Sequence, residues 1–262
     1  MNSTNVFRCM RVLLFFFALV SVAAADLLWW QLLWRPKDLS PPEHATSQCI
    51  SNFRTQGPSV RSRYDEDVIM YETFFRDQRM GERVFVEIGA VDGLKESNSH
   101  FFSKCLKWKG LLVEGNPTQY AKLTRNRPGT MTYFGSPTCH HESNVTFWSI
   151  DYTNAGLKGY ATKQDHQSSH YIRVPCFPLQ KVFDFYSITH VDFFSLDVEG
   201  AELLVLQTVD FAKTQIRVLM VESKNRDCGR ICPKREKVRS FLKQQGYRLN
   251  TTLIKASDVF YI

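Results

Sequence analysis

Acidic residues stand at the ends of four short apolar runs, and they are the residues most able to do chemistry. The run Val84–Ile88 leads into Glu87-Ile88-Gly89-Ala90-Val91-Asp92-Gly93. The run from Leu111 ends in Glu114, 21 positions after Gly93. Phe193-Phe194-Ser195-Leu196 runs into Asp197-Val198-Glu199-Gly200-Ala201-Glu202, and Val218–Val221 ends in Glu222. Carboxylates accept hydrogen bonds, attract cations and take protons from hydroxyls. Two glycines in the first loop let a backbone approach a ligand closely. The loop is not the dinucleotide pattern GxGxxG, and no lysine sits where a phosphate-binding loop needs one. An acidic loop of this kind suits a cationic cofactor better than a polyphosphate.

The spacing assigns roles. An acid about 20 residues past a glycine loop, ending the next strand, can accept from ribose hydroxyls. Glu114 is in that position; the alternative is an exposed strand-end glutamate. Glu87, Gly89, Asp92, Gly93 and Glu114 are therefore the expected cofactor residues. Asp197 is the candidate base, with Glu199, Glu202 and Glu222 in support. Glu199 and Glu202 are three apart and share a face if a helix begins there. Carboxylates in a first helical turn also complement the helix dipole, which is the structural alternative. His140, His141, His166 and His170 fall in an irregular segment, 135–170, of the kind that covers substrates. No motif places any of them. A metal site at Cys228 and Cys232 is not expected, because no second Cys/His pair lies at ligand spacing.

These strand ends need a sheet behind them. Short apolar runs at Val84–Ile88, Leu111–Glu114, Thr130–Phe134, Val145–Ile150, Tyr171–Phe177, Val191–Leu196, Ile216–Glu222, Tyr247–Thr251 and Val259–Ile262 read as strands. Helical stretches fall between them at about 97–107, 117–126, 178–187, 200–209 and 233–245. The last opens with Pro233 and stops before Gly246. This alternation predicts an α/β, Rossmann-like fold with a mostly parallel sheet. The final two strands form a hairpin, so an antiparallel strand lies near one edge. An amphipathic entry helix is expected from Tyr64 to Arg79.

Composition sets the class. The chain has 262 residues, 44% of them hydrophobic and 23% charged, with a net charge of +7. That is one ordinary globular core. The basic residues are scattered apart from Lys234, Arg235, Lys237 and Arg239, and no nucleic-acid module accompanies them, so a nucleic-acid partner is not expected. Arg8 and Arg11 precede an apolar run, Val12 to Val20, and then Ala23, Ala24 and Ala25. This describes a cleavable signal peptide. Trp29, Trp30 and Trp34 extend the apolar stretch, which reads equally as a membrane anchor over 1–34. Residues 35–63, rich in Pro and Ser, read as a linker or stem, and 64–262 as the domain. Both N-terminal readings place the domain on the luminal or extracellular side, touching membrane only through its N-terminal segment. Six cysteines follow Cys9, enough for three disulfides whose pairing the sequence leaves open. Cys228 and Cys232 lie close enough to close a small loop. Asn144-Val145-Thr146 and Asn250-Thr251-Thr252 are N-glycosylation sequons.

Glu87 to Gly93, Ser97-Asn98-Ser99, Trp108 to Pro117 and Ser195 to Glu202, in this order, resemble the FkbM family of methyltransferases. Within it they look most like the animal, Star-related branch. The resemblance covers about residues 64 to 262. It implies a class I methyltransferase fold with a seven-stranded sheet, and S-adenosylmethionine (SAM) as cofactor. It implies O-methyl transfer to a hydroxyl-bearing small molecule or glycan. The Star-related branch implies a different role: trafficking of a membrane-tethered growth-factor precursor from endoplasmic reticulum to Golgi. Two positions depart from the family pattern. Many FkbM enzymes carry lysine where this chain has Ser195, and many carry aspartate at Glu87.

Overall fold

The computed structural model describes residues 43–57, 61–76, 82–149, 155–160, 170–223 and 232–262. The expected signal or anchor segment lies outside them, as does His166.

Burial decides which strands are central. Strand β1 (Val84–Ile88) is buried over its last four residues, and β7 (His190–Leu196) over its last six. Strands apolar on both faces belong in the middle of a parallel sheet. β1 pairs in parallel with β2 (Lys109–Glu114) on one side and β7 on the other. β3 (Met131–Phe134), half-buried throughout, forms one edge beyond β2. β8 (Gln215–Glu222) lies beside β7 in parallel. β10 (Ser257–Tyr261) is antiparallel to both β8 and the other edge strand, β9 (Arg248–Asn250). The seven-strand order is therefore β3-β2-β1-β7-β8-β10-β9. This is the expected Rossmann-like fold, with its antiparallel strand second from one edge.

Alternation along each strand feeds two cores. Val86 and Ile88 of β1 point into one, with Phe194 and Leu196 of β7. Helices α5 (Leu179–Phe185), α6 (Glu202–Leu206) and α7 (Pro233–Gln244) close that face through Val182, Val205 and Leu242. Phe85 and Phe193 point to the other face. There they meet α1 (Glu43–Arg54), a short helix α2 (Glu66–Met70) and α3 (His100–Leu106). Phe102 is central to this side. Its ring lies 4.7 Å from Trp108 and 4.9 Å from Phe193. Helix α4 (Pro117–Asn126) starts with proline, and Asn116 caps it by accepting from the N–H of Thr118 at 3.0 Å.

Three expectations need correction. Residues 43–54 of the presumed linker form α1, whose Phe53 is only 1% exposed in the aromatic core. The entry helix expected over 64–79 is present from Glu66, but after α2 it continues with π-helical geometry over Tyr71–Phe75; residues 77–79 lie outside the described part. Finally, the runs at 145–150 and 171–177 do not join the main sheet. They belong to β4 (Thr138–Trp148) and β6 (Tyr171–Pro178), which with β5 (Gly156–Leu157) make a separate antiparallel sheet, β5-β4-β6. Much of the supposedly irregular 135–170 segment is thus strand. Residues 140–144 are polar and all exposed, so no period of two betrays β4 in the sequence.

Disulfides fix these additions. Cys49–Cys105 ties α1 to α3, and Cys139–Cys176 ties β4 to β6. Cys232 is also disulfide-bonded, to a partner outside the described residues. Cys49–Cys105 spans 56 positions. Closing a loop of that length in the unfolded chain is worth about 4 kcal/mol. Replacing both cysteines with serine is expected to lower the unfolding free energy by about that amount, measured by urea titration of the oxidised protein.

Candidate active site

The strand order reverses between β1 and β7, since the chain runs outward to β2 and β3 before returning to β7. A crevice opens at the carboxyl ends of strands at such a switch point. A cleft partly open to solvent lies there.

The loop after β1 forms its floor. Gly89 donates its N–H to the Val113 carbonyl at 3.0 Å, and Asp197 donates to the Ile88 carbonyl at 3.1 Å. These bonds draw the β7 end against Gly89. A β-carbon on Gly89 would stand 1.8 Å from the Asp197 carbonyl oxygen. Gly89 also has φ +86°, a region that L side chains rarely adopt. This glycine is therefore required by a neighbouring strand, and it lines the cleft as well. Gly93 and Asp92 are not among the lining residues. A β-carbon on Gly93 would meet Leu123 and Arg127 at 2.6 and 2.7 Å, so its constraint comes from α4 and the residue just beyond it. Asp92 accepts from the N–H groups of Leu94 and Lys95 and holds the turn together. Both were expected at the cofactor; in the fold they shape the loop that follows β1.

Glu87 and Glu114 are the buried acids of the cleft. Glu87 accepts from Ser97 Oγ at 2.9 Å, Ser99 Oγ at 2.5 Å and the Asn98 N–H at 2.8 Å. Burial raises its pKa, and the Arg127 guanidinium opposes that rise. Glu87 thus folds the 97–99 loop over the sheet, and Asn98 then donates to Ser195 Oγ at 3.0 Å inside the cleft. Glu114 accepts from the N–H groups of Val91 at 2.8 Å and Asn116 at 2.6 Å, and burial pushes its pKa up to about 7.

The end of β7 sorts the remaining acids. Asp197 lines the cleft; Glu199, Glu202 and Glu222 are not among its lining residues. Enclosure by protein raises the Asp197 carboxyl to about 6, and the charges of Glu87, Glu66 and Glu96 act in the same direction. Much of Asp197 still faces cleft water, which offsets part of that push. Glu222 sits behind it. Burial, and then the Asp197 charge, holds its carboxyl far above the ordinary range. Both groups are carboxyls, so a hydrogen bond between them needs a proton on one, and among the described residues Glu222 Oε2 has no partner. Glu222 therefore keeps a proton and donates it to Asp197, which carries the charge. Glu202 is spent locally: it accepts from the Gly200 N–H at 2.8 Å, and burial raises it to about 7. Glu199 lies in the turn with φ +54°, before α6 begins at Glu202. The two do not share a helical face, because the helix starts later than its pattern suggests.

The sequence reading missed one wall entirely. Ser136, Thr138, Phe147 and Leu157 close the cleft from the β4–β6 sheet side. The Phe147 ring fills the space left by Gly115, where a β-carbon would lie 2.8 Å away. Cys176 braces this wall: Thr138 Oγ1 lies 3.3 Å from its sulfur. Nothing in the local pattern pointed to these residues, since the wall comes from the second sheet. His140, His141 and His170 are exposed and do not line the cleft.

The model of the methyltransferase FkbM domain matches residues 87–249, more than half of the chain. The chain belongs to this family. Its cofactor is S-adenosylmethionine. A search of curated proteins finds no significant match. Among solved structures, one similar in fold is a putative caffeoyl-CoA O-methyltransferase from Staphylococcus aureus. It has 13% identity, 92% of this chain and 98% of that one covered, and a TM-score of 0.45. Aeropyrum pernix fibrillarin with natively bound S-adenosyl-L-methionine has 10% identity, 74% and 72% coverage, and a TM-score of 0.42. Methyltransferase FkbM from Methylobacillus flagellatus has 11% identity, 77% and 48% coverage, and a TM-score of 0.42.

In this FkbM domain the Gly89 contact gives a clear test. Gly89→Ala forces β1 and β7 apart and is expected to cost about 3 kcal/mol or more. Gly129 also has positive φ but open space around it. Gly129→Ala is expected to cost about 1 kcal/mol, from backbone strain alone. Urea unfolding of the two variants separates steric approach from backbone conformation.

Proposed function

We propose that this protein is a SAM-dependent O-methyltransferase of the secretory pathway, acting on a hydroxyl of a small molecule or glycan. The observation that carries the proposal is Asp197, an ionised carboxylate facing the cleft and backed by the proton on Glu222. The donor set suits the cofactor. Glu114 has acceptor capacity left for a ribose hydroxyl, Phe147 offers an apolar wall, and the acids favour a sulfonium. When bound, SAM supplies an activated methyl group.

The chain's own residues do the rest. Gly89, Glu114 and the β4–β6 wall orient the cofactor. Asn98 and Ser195, held by Glu87, offer polar groups where an acceptor would enter. Asp197 takes the hydroxyl proton of the acceptor, and Glu222 holds Asp197 in place through its own proton. Alignment of the reacting groups supplies much of the acceleration. The disulfides support an oxidising compartment, since such bonds persist there.

Titration calorimetry of the oxidised protein with SAM is the first test. Saturable heat at micromolar concentrations is expected; its absence overturns the reading. Glu114→Ala is expected to weaken SAM binding by about 1–3 kcal/mol, because a buried hydrogen-bond partner is lost. Unchanged affinity would refute the ribose assignment. Methyl transfer should show kcat/KM rising with pH through about 6 and levelling above it, since only ionised Asp197 accepts a proton. Asp197→Asn should remove that rise along with most of the rate, while SAM still binds.

A further inference from the structure

The two sequons, Asn144-Val145-Thr146 and Asn250-Thr251-Thr252, are alike as tripeptides. The fold treats them very differently. Asn144 lies on β4 in the run 140–144, where every residue is exposed. A strand in a sheet ordinarily hides one face. Here the pairing of β4 with β6 shifts register between Thr138 and Ser143, and the strand stands clear of the body on both faces. Burial resumes only at Phe147 and Trp148. A bulky, hydrated group at Asn144 displaces no packed side chain. Asn144 is also not among the residues lining the cleft, so such a group leaves the active site's own lining intact.

Asn250 is in the opposite situation. It is half-buried on β9, between the exposed end of the sheet and β10. Its side-chain oxygen accepts three bonds: from the N–H groups of Thr252 and Leu253, each at 3.0 Å, and from Thr252 Oγ1 at 3.2 Å. The threonine hydroxyl that a sequon presents for recognition is turned back onto its own asparagine. This side chain is the structural core of a tight turn leading into β10.

We infer that Asn144 carries an N-linked glycan and that Asn250 does not. In the modification, Asn144 Nδ2 forms a bond to the anomeric carbon of an oligosaccharide carried on a lipid pyrophosphate. The bond from that carbon to the pyrophosphate oxygen breaks. The amide proton leaves with the pyrophosphate. This inference rests on entry of the chain into the secretory pathway. It does not depend on methyl transfer, because the sequon lies outside the cleft.

The test is translation of the full chain in the presence of microsomes, with protease protection to report entry and endoglycosidase H to report the glycan. A protected chain with a single glycan-sized shift is expected. Asn144→Gln should abolish the shift, and Asn250→Gln should retain it. A protected chain without a shift overturns the inference, as does a shift that survives Asn144→Gln. Two steps of shift, or loss of the shift in Asn250→Gln, overturn the distinction between the two sites. An unprotected chain overturns both this inference and the compartment reading, and leaves the methyltransferase reading standing. Deglycosylation in heavy-oxygen water followed by mass spectrometry locates the label: Asn144 should become a heavy aspartate, and Asn250 should remain asparagine.

Discussion

Everything at the active site depends on how closely two strand ends approach one another. Asp197 bonds to the Ile88 carbonyl, and its own carbonyl lies where a β-carbon of Gly89 would be. Only glycine allows β1 and β7 to end side by side at that distance. The junction is the place where the strand order reverses, so it also sets the crevice. Glu114, the Asn98–Ser195 pair and Asp197 all hang from strands whose register follows from it. Beneath the sheet Phe85 and Phe193 of these two strands share one core, where the Phe102 ring packs at a tilt against Phe193.

The charge of the site runs against the charge of the protein. The chain carries +7 overall, yet acids dominate the cleft. Such local reversal focuses the field and favours a cation inside. Burying acids has a cost, visible as the upward shifts of Glu87, Glu114 and Asp197 in the cleft and of Glu202 and Glu222 outside its lining, each dominated by burial. Arg127 is the counterweight. It is itself buried, with its pKa lowered to about 10, and it donates to the Gly93 carbonyl at 2.8 Å while countering Glu87.

Much of the parallel sheet was legible in the sequence, because buried parallel strands write themselves as apolar runs ending in glycine or acid. β1, β2, β7 and β8 were visible in this way, and so was the hairpin of β9 and β10. What escaped were the parts stabilised by contacts distant in sequence. Helix α1 depends on Cys49–Cys105 and on Phe53 reaching the aromatic core. β4 has exposed polar residues where a pattern should be. The wall of Thr138 and Phe147 exists only because β4 and β6 pair and are pinned at Cys139–Cys176. The glycines were legible, but the contacts that exclude a side chain at Gly93, from Leu123 and Arg127, come from residues about 30 positions away and leave no local pattern.

The acids in the sequence look interchangeable, and their donors tell them apart. A carboxylate offers about four acceptor positions. Three donors from the 97–99 loop occupy Glu87, so its work is to fold that loop. Glu202 is occupied by the N–H groups of its own turn. Glu114 accepts from the N–H groups of Val91, Asn116 and Gly115, and unlike Glu202 it lines the cleft. Asp197 shares a single proton with Glu222 and otherwise faces the cleft. An acid whose positions are filled by backbone stabilises the fold and has little to offer a ligand. An acid with open positions costs stability unless something polar arrives to fill them. On that criterion Asp197, beside the β7 end, is the acid the cleft holds in reserve, while Glu114, beside the β2 end, keeps about one of its four positions. Their separation across the Gly89 junction is what gives a bound molecule two polar anchors with a path between them.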